Sequence, residues 1–196
     1  MSSTAGGVSS PARAWLRLGV TTLLAWGTLH LLFRPGSGSV MDLVDLPFHE
    51  AGHVFLSPFG STLHILGGTL GQLAVPTLLA WYFLARRRDP FAAAACLWWL
   101  GQSLVNVSVY MADARDLSLP LVGGGEHDWN ELFFRFGLLT EPSVRAVSGA
   151  TRAAGAVIAL AGLGWAGTFL LPGPLRVRMH AALRRRAPAL RRLLDD

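Results

Sequence analysis

Lysine is absent: all 17 basic residues of this 196-residue chain are arginines. There is one cysteine, Cys96, and only 15% of the residues are charged. A single cysteine excludes an intrachain disulfide and any cysteine-built zinc site. Cys96 lies in an apolar stretch, so a small buried apolar residue is expected there. With 52% hydrophobic residues and a mean hydropathy of +0.41, the composition is that of a bilayer protein. The net charge of +5 could suggest a nucleic acid. The arginines stand beside apolar spans and in the tail, however, and form no solvated reading face, so no nucleic-acid partner is expected. No internal repeat is evident.

A hydrocarbon core about 30 Å thick takes about 20 helical residues. Four stretches meet that need, approximately Trp15 to Phe33, Ile65 to Ala85, Phe91 to Met111 and Ala153 to Leu171. Arg13 and Arg17 precede the first, Arg86 to Arg88 separate the second and third, and a dense arginine cluster follows the fourth. The excess of cytoplasmic arginine places all three groups inside. Residues of about 34 to 64 and about 112 to 152 then belong on the outer side. The expected fold is an all-α polytopic membrane protein of about four transmembrane helices, plus a membrane-embedded or re-entrant helix. It forms one domain over residues 1–175, followed by a basic cytoplasmic tail over 176–196. The expected setting is a bacterial inner membrane with both termini in the cytoplasm. In the tail, Leu183, Ala187, Leu190 and Leu194 follow helical spacing among arginines, which fits an interfacial helix on anionic lipid or a solvated tail.

The most informative segment is His49-Glu50-Ala51-Gly52-His53. Residues four apart on a helix lie about one turn above each other, so His49 and His53 can address one metal ion while Glu50 flanks it. The surrounding stretch, Val40 to Phe59, is apolar, yet it also carries Asp42 and Asp45, and ionisable groups at membrane depth face protein or water. A helix running through the whole stretch puts Asp42, Asp45, His49 and His53 along one stripe. Pro47 also allows a helix that starts near Asp45, with that carboxylate as its cap. Asp42 and Asp45 are alternatively acceptors that orient a ligand imidazole.

A catalytic zinc takes three protein ligands and a water. In the third span Gln102, Asn106, Tyr110 and Asp113 recur at helical spacing, and Asp113 at the end of that stripe is the preferred third donor. His127, in Gly123-Gly124-Gly125-Glu126-His127-Asp128-Trp129, is the alternative, since a glycine-rich turn can fold that polar motif over the site. His30, His64 and His180 are expected in interfacial or solvated roles.

From Asp42 to Asp116 the chain resembles the site-2 protease family of intramembrane zinc metalloproteases. The resemblance rests on HEAGH in an apolar segment, Gly67-Gly68 after it, and Asn106 ahead of an Asp at the end of a later helix. It implies zinc held by His49, His53 and Asp113, Glu50 as the water-activating base, and a membrane protein or peptide substrate. The family's Asn-Pro and Asp-Gly pairs are replaced here by Asn106-Val107 and Asp113-Ala114. No added peptide-binding domain is present, so a minimal, divergent member is implied. A non-catalytic metal-binding membrane protein, such as a pseudoprotease or scaffold, is the alternative, and a small transporter or channel component the third class.

Overall fold

The computed structural model describes residues 11–34, 38–120, 126–179 and 181. Among the described residues, α1 (Pro11–Phe33), α2 (Val40–Leu56), α3 (Ser61–Ala85), α4 (Pro90–Ala112), α5 (Asp128–Arg135) and α6 (Glu141–Gly167) follow one another, and residues 173–179 are helical again. Single 3-10 turns extend α2 over Ser57–Phe59 and α6 over Thr168–Leu170. The described residues contain no strand, and α1, α3, α4 and α6 with its 3-10 extension are long and apolar enough to cross a membrane. The expected tail helix over Leu183 to Leu194 and the turn at Gly123 to Gly125 lie outside the described residues.

The outer surface is as apolar as the core, where Leu24, Leu31, Phe91, Trp98 and Val105 are buried, and several polar side chains lie inside beside them. Trp15, Leu23, Trp26, Phe33 and Trp81 are exposed, whereas Thr28, Thr69, Gln72, Gln102 and Ser103 are buried. Lipid tails are as apolar as leucine, so such helices associate through close packing and interhelical hydrogen bonds. Both are visible. A Cβ on Gly101 would lie 2.3 Å from the Ala159 nitrogen and one on Gly162 2.5 Å from the Trp98 nitrogen, so α4 and α6 touch backbone to backbone. Trp98 Nε1 donates to Thr28 Oγ1 at 2.8 Å and ties α1 to α4.

Three of the four expected spans match to within a few residues. The fourth starts at Glu141, about three turns before the expected Ala153. Thr140 Oγ1 accepts the Ser143 amide and a proline occupies the first turn, so the polar segment before the apolar core is already helical.

Helix α2 runs straight through Pro47 from a capping box at Ser39. Its hydroxyl accepts the Met41 amide at 3.2 Å, and the Ser39 amide donates to Asp42 Oδ2 at 2.6 Å. Asp45 is therefore not the helix cap. Asp42 Oδ1 accepts from Gln102 Nε2 at 3.0 Å, which sets the first turn of α2 level with the middle of α4. From there α2 runs antiparallel to α3. Cβ atoms on Gly52, Gly67 and Gly71 would fall within 2.4 Å of the Gly67, Gly52 and Phe48 carbonyl oxygens, so only glycine permits this crossing. Residues 40–56 are thus a packed helix beginning at mid-bundle depth and not an external loop.

Candidate metal centre

His49 and His53 stack on one face of α2 with ring centroids 4.8 Å apart. Both Nε2 atoms point at one carboxylate oxygen, Asp128 Oδ2, at 3.0 Å from His49 and 3.3 Å from His53. One donor atom from each of the three residues lies within 4.8 Å of the others, a set that could hold a metal ion. The three side chains are 12–15% exposed. They line a cavity of about 870 Å³, together with Glu50, His64 and Tyr110.

The other ring nitrogens are held from behind. His53 Nδ1 donates to the His64 carbonyl at 2.8 Å. His49 Nδ1 contacts Gln72 Oε1 at 3.4 Å. The orientation of Gln72 follows from Asp45, which is 2% exposed and accepts from Trp99 Nε1 at 2.7 Å and Ser103 Oγ at 2.8 Å. Gln72 Nε2 donates to that carboxylate at 3.3 Å and to Asn106 Oδ1 at 3.0 Å, which leaves its oxygen facing His49. An acceptor behind each ring favours a proton on Nδ1, the tautomer in which Nε2 is free to ligate an ion. Asp45 thus acts through Gln72 on the orientation of His49.

Gly68 supplies the missing wall. A Cβ there would lie 2.4 Å from His49 Nε2 and 2.5 Å from His53 Nε2, so glycine keeps open the space in front of both nitrogens.

The structure brings Asp128 to the imidazoles, in place of Asp113 or His127. Helix α4 ends at Ala112, and Asp113 as its cap folds inward beneath the following turn. Its Oδ1 accepts from the Ser118 amide at 2.9 Å and the Ser118 hydroxyl at 2.5 Å, and its Oδ2 accepts from the Leu119 amide at 3.0 Å. Burial alone would raise its pKa, but these donors and the neighbouring His127 hold it below the ordinary carboxylate value. His127 is the cap of α5: its Nδ1 accepts the Asn130 amide at 3.1 Å, and its Nε2 faces Asp113 Oδ2 at 3.4 Å. Burial pushes its pKa down, against the pull of Asp113. Both expected third donors are therefore engaged with each other and with local amides. The first three members of the α4 stripe do face the cavity. Gln102 reaches Asp42, Asn106 reaches Gln72, and the Tyr110 hydroxyl accepts the Asp128 amide at 3.1 Å.

Helix α5 carries Asp128 to the site and is secured on both sides. Asn130 Nδ2 donates to the Ala114 carbonyl at 2.7 Å. Arg135 Nη1 donates to Ser61 Oγ at 2.7 Å and Thr62 Oγ1 at 3.1 Å, at the start of α3. Phe133 packs into a buried cluster with Val107, Met111, Ala114 and Val144. The sequence signal for Asp128 was its place in the polar motif at the start of a short helix, one residue beyond His127. His64 is also no bystander, since it meets His53 across the α2–α3 crossing. No protein-family model, curated protein or solved structure matches the chain.

Proposed function

We propose that this chain is a membrane-embedded zinc metallopeptidase of the site-2 protease kind, with His49, His53 and Asp128 holding the metal and Glu50 acting as general base. In this reading Asp128 takes the role that the resemblance assigned to Asp113. The observation that supports it is the convergence of two Nε2 atoms on one Asp128 oxygen. Tetrahedral zinc with bonds of about 2.0–2.1 Å separates its ligand atoms by roughly 3.3 Å. The contacts of 3.0 and 3.3 Å are close to that edge length, and the side-chain-free face of Gly68 leaves room beside it.

When bound, zinc supplies Lewis-acid polarisation of a peptide carbonyl and lowers the pKa of water. Gln72 and the His64 carbonyl present the two imidazoles in the ligating tautomer. Glu50, beside His49 on the cavity wall, takes the proton from water and passes it to the leaving amine. Leu43, Val105 and Val109 give the same cavity an apolar flank suited to a membrane-derived peptide segment. The arginine-bearing end of the bundle lies in the cytoplasm and the metal centre opens towards the other side.

The test is wild-type and Glu50→Gln protein in proteoliposomes, with bound zinc measured by elemental analysis and cleavage of a membrane-peptide library by mass spectrometry. Equal zinc in both, with hydrolysis only by wild type, is expected. Zinc-loaded wild type that cleaves nothing, or Glu50→Gln that cleaves equally well, overturns the enzymatic reading.

A further inference from the structure

At the end of the bundle away from the metal centre, the fold gathers arginines from three remote parts of the chain around one cleft of about 1040 Å³. Arg13 and Arg17 come from α1, Arg87 and Arg88 from the α3–α4 turn, and Arg176 from the segment after α6. The cleft holds one carboxylate, Asp89, whose Oδ1 is taken up capping α4 through the Phe91 and Ala92 amides, both at 3.1 Å. Among the described residues, none of the five arginines has a carboxylate within 4 Å, whereas Arg115, Arg135 and Arg145 all do.

Two further features separate this cleft from a scatter of topology-setting charges. Arg17 and Arg176 are half-buried, and their guanidinium groups both approach the Phe169 ring, at 5.5 and 5.3 Å from its centroid, while that of Arg17 also lies 5.5 Å from the centroid of Phe91. Aromatic faces orient these cations, but they do not cancel the repulsion between two like charges on one ring. Arg88 has φ +52, a left-handed conformation in which an ordinary side chain is disfavoured and glycine is not. An arginine is thus kept where the backbone favours glycine. Trp15, Leu18, Leu170 and Leu171 form the apolar wall of the same cleft.

We propose that this cleft binds the phosphate of an anionic phospholipid, with the guanidinium groups around the headgroup and the acyl chains along Trp15, Leu18, Leu170 and Leu171. A phosphate takes bidentate hydrogen bonds from arginine, and the apolar wall distinguishes a lipid from a soluble anion. The site is independent of the metallopeptidase chemistry and rests only on the helices lying in a bilayer.

The test uses the full chain, delipidated in neutral detergent, with phosphatidylglycerol, phosphatidylcholine or inorganic phosphate added and lipid retention read by native mass spectrometry. Phosphatidylglycerol is retained over phosphatidylcholine, and R17Q/R176Q weakens that retention by roughly tenfold. R145Q, at the opposite end, leaves it unchanged. R88G relieves the strained φ, so it retains less phosphatidylglycerol while its thermal stability is equal or higher, which separates binding from folding if the double variant is unstable. Equal retention of the two lipids overturns the proposal, as does wild-type retention by R17Q/R176Q and R88G. Displacement of phosphatidylglycerol by an equal concentration of inorganic phosphate overturns the lipid as the ligand.

Discussion

His53 and His64 exchange hydrogen bonds across the α2–α3 crossing: His53 Nδ1 donates to the His64 carbonyl at 2.8 Å, and His64 Nδ1 donates to the His53 carbonyl at 2.9 Å. The pair fixes both the ring of His53 and the separation of the two helices beside Gly52 and Gly67. His64→Ala keeps the carbonyl but loses half of this clamp. Zinc affinity is expected to fall about tenfold, the lower edge of what partners behind a metal ligand contribute, with one zinc still bound at saturation. Competition against a chromophoric chelator measures it, and an unchanged affinity would show the clamp to be idle.

Asp128 and Asp113 part company under substitution. Asp128→Asn removes the charged donor shared by the two imidazoles, and zinc affinity is expected to drop by about 100-fold or more. Asp113→Asn keeps the metal but lowers the melting temperature, because the Ser118 and Leu119 donors lose their charged acceptor. Elemental analysis and thermal unfolding on both variants decide the matter, and the opposite pattern would return the third ligand to Asp113.

Gly68→Ala places a methyl group 2.4–2.5 Å from the two Nε2 atoms, at a position where the imidazoles are held from behind by Gln72 and His64. Zinc binding and hydrolysis are expected to be lost together while helix content, read by circular dichroism, stays at the wild-type level. Gly164→Ala, which meets nothing within 4 Å, is the control. Full zinc occupancy in Gly68→Ala would mean that the rings move aside.

Acid is expected to weaken the fold in two steps. His127 is held below its ordinary 6.5, so as pH falls below about that value the unfolded chain takes up a proton that the folded chain refuses, and stability drops. Asp113 is held below 3.8, so its contribution is present above about that pH and is lost as pH falls through the lower folded value. Unfolding followed by intrinsic fluorescence should show both losses in wild type. Asp113→Asn should lack the lower one, and a variant that retains it would assign that step to another carboxylate.

Much of the fold was legible because the requirement for about 20 apolar residues per crossing is local. The early start of α6 was also written in the sequence, in Thr140 followed by Pro142, but an apolar threshold passes over a polar helical entrance. The α4 stripe was read correctly for Gln102, Asn106 and Tyr110 and extended one turn too far to Asp113. That residue caps the helix, and its oxygens are taken up by the Ser118 and Leu119 amides and the Ser118 hydroxyl. Asp45 was expected first as a helix cap and only second as an orienting acceptor. The capping box at Ser39 overturns the first reading and leaves Asp45 to accept from Trp99, Ser103 and Gln72.

What the sequence determined by itself was periodic: helices of membrane length, two imidazoles one turn apart with a carboxylate beside them, and glycines where helices cross. Those follow from hydropathy and from 3.6 residues per turn, which act within a single segment. The tertiary structure decided which carboxylate meets the imidazoles, which acceptors stand behind their rings and how deep α2 begins. Asp128 lies 79 residues from His49 in the chain. Its arrival depends on where α5 anchors on α3 and α4 and on which competing acids are already saturated, and neither is encoded in the spacing of any one stretch.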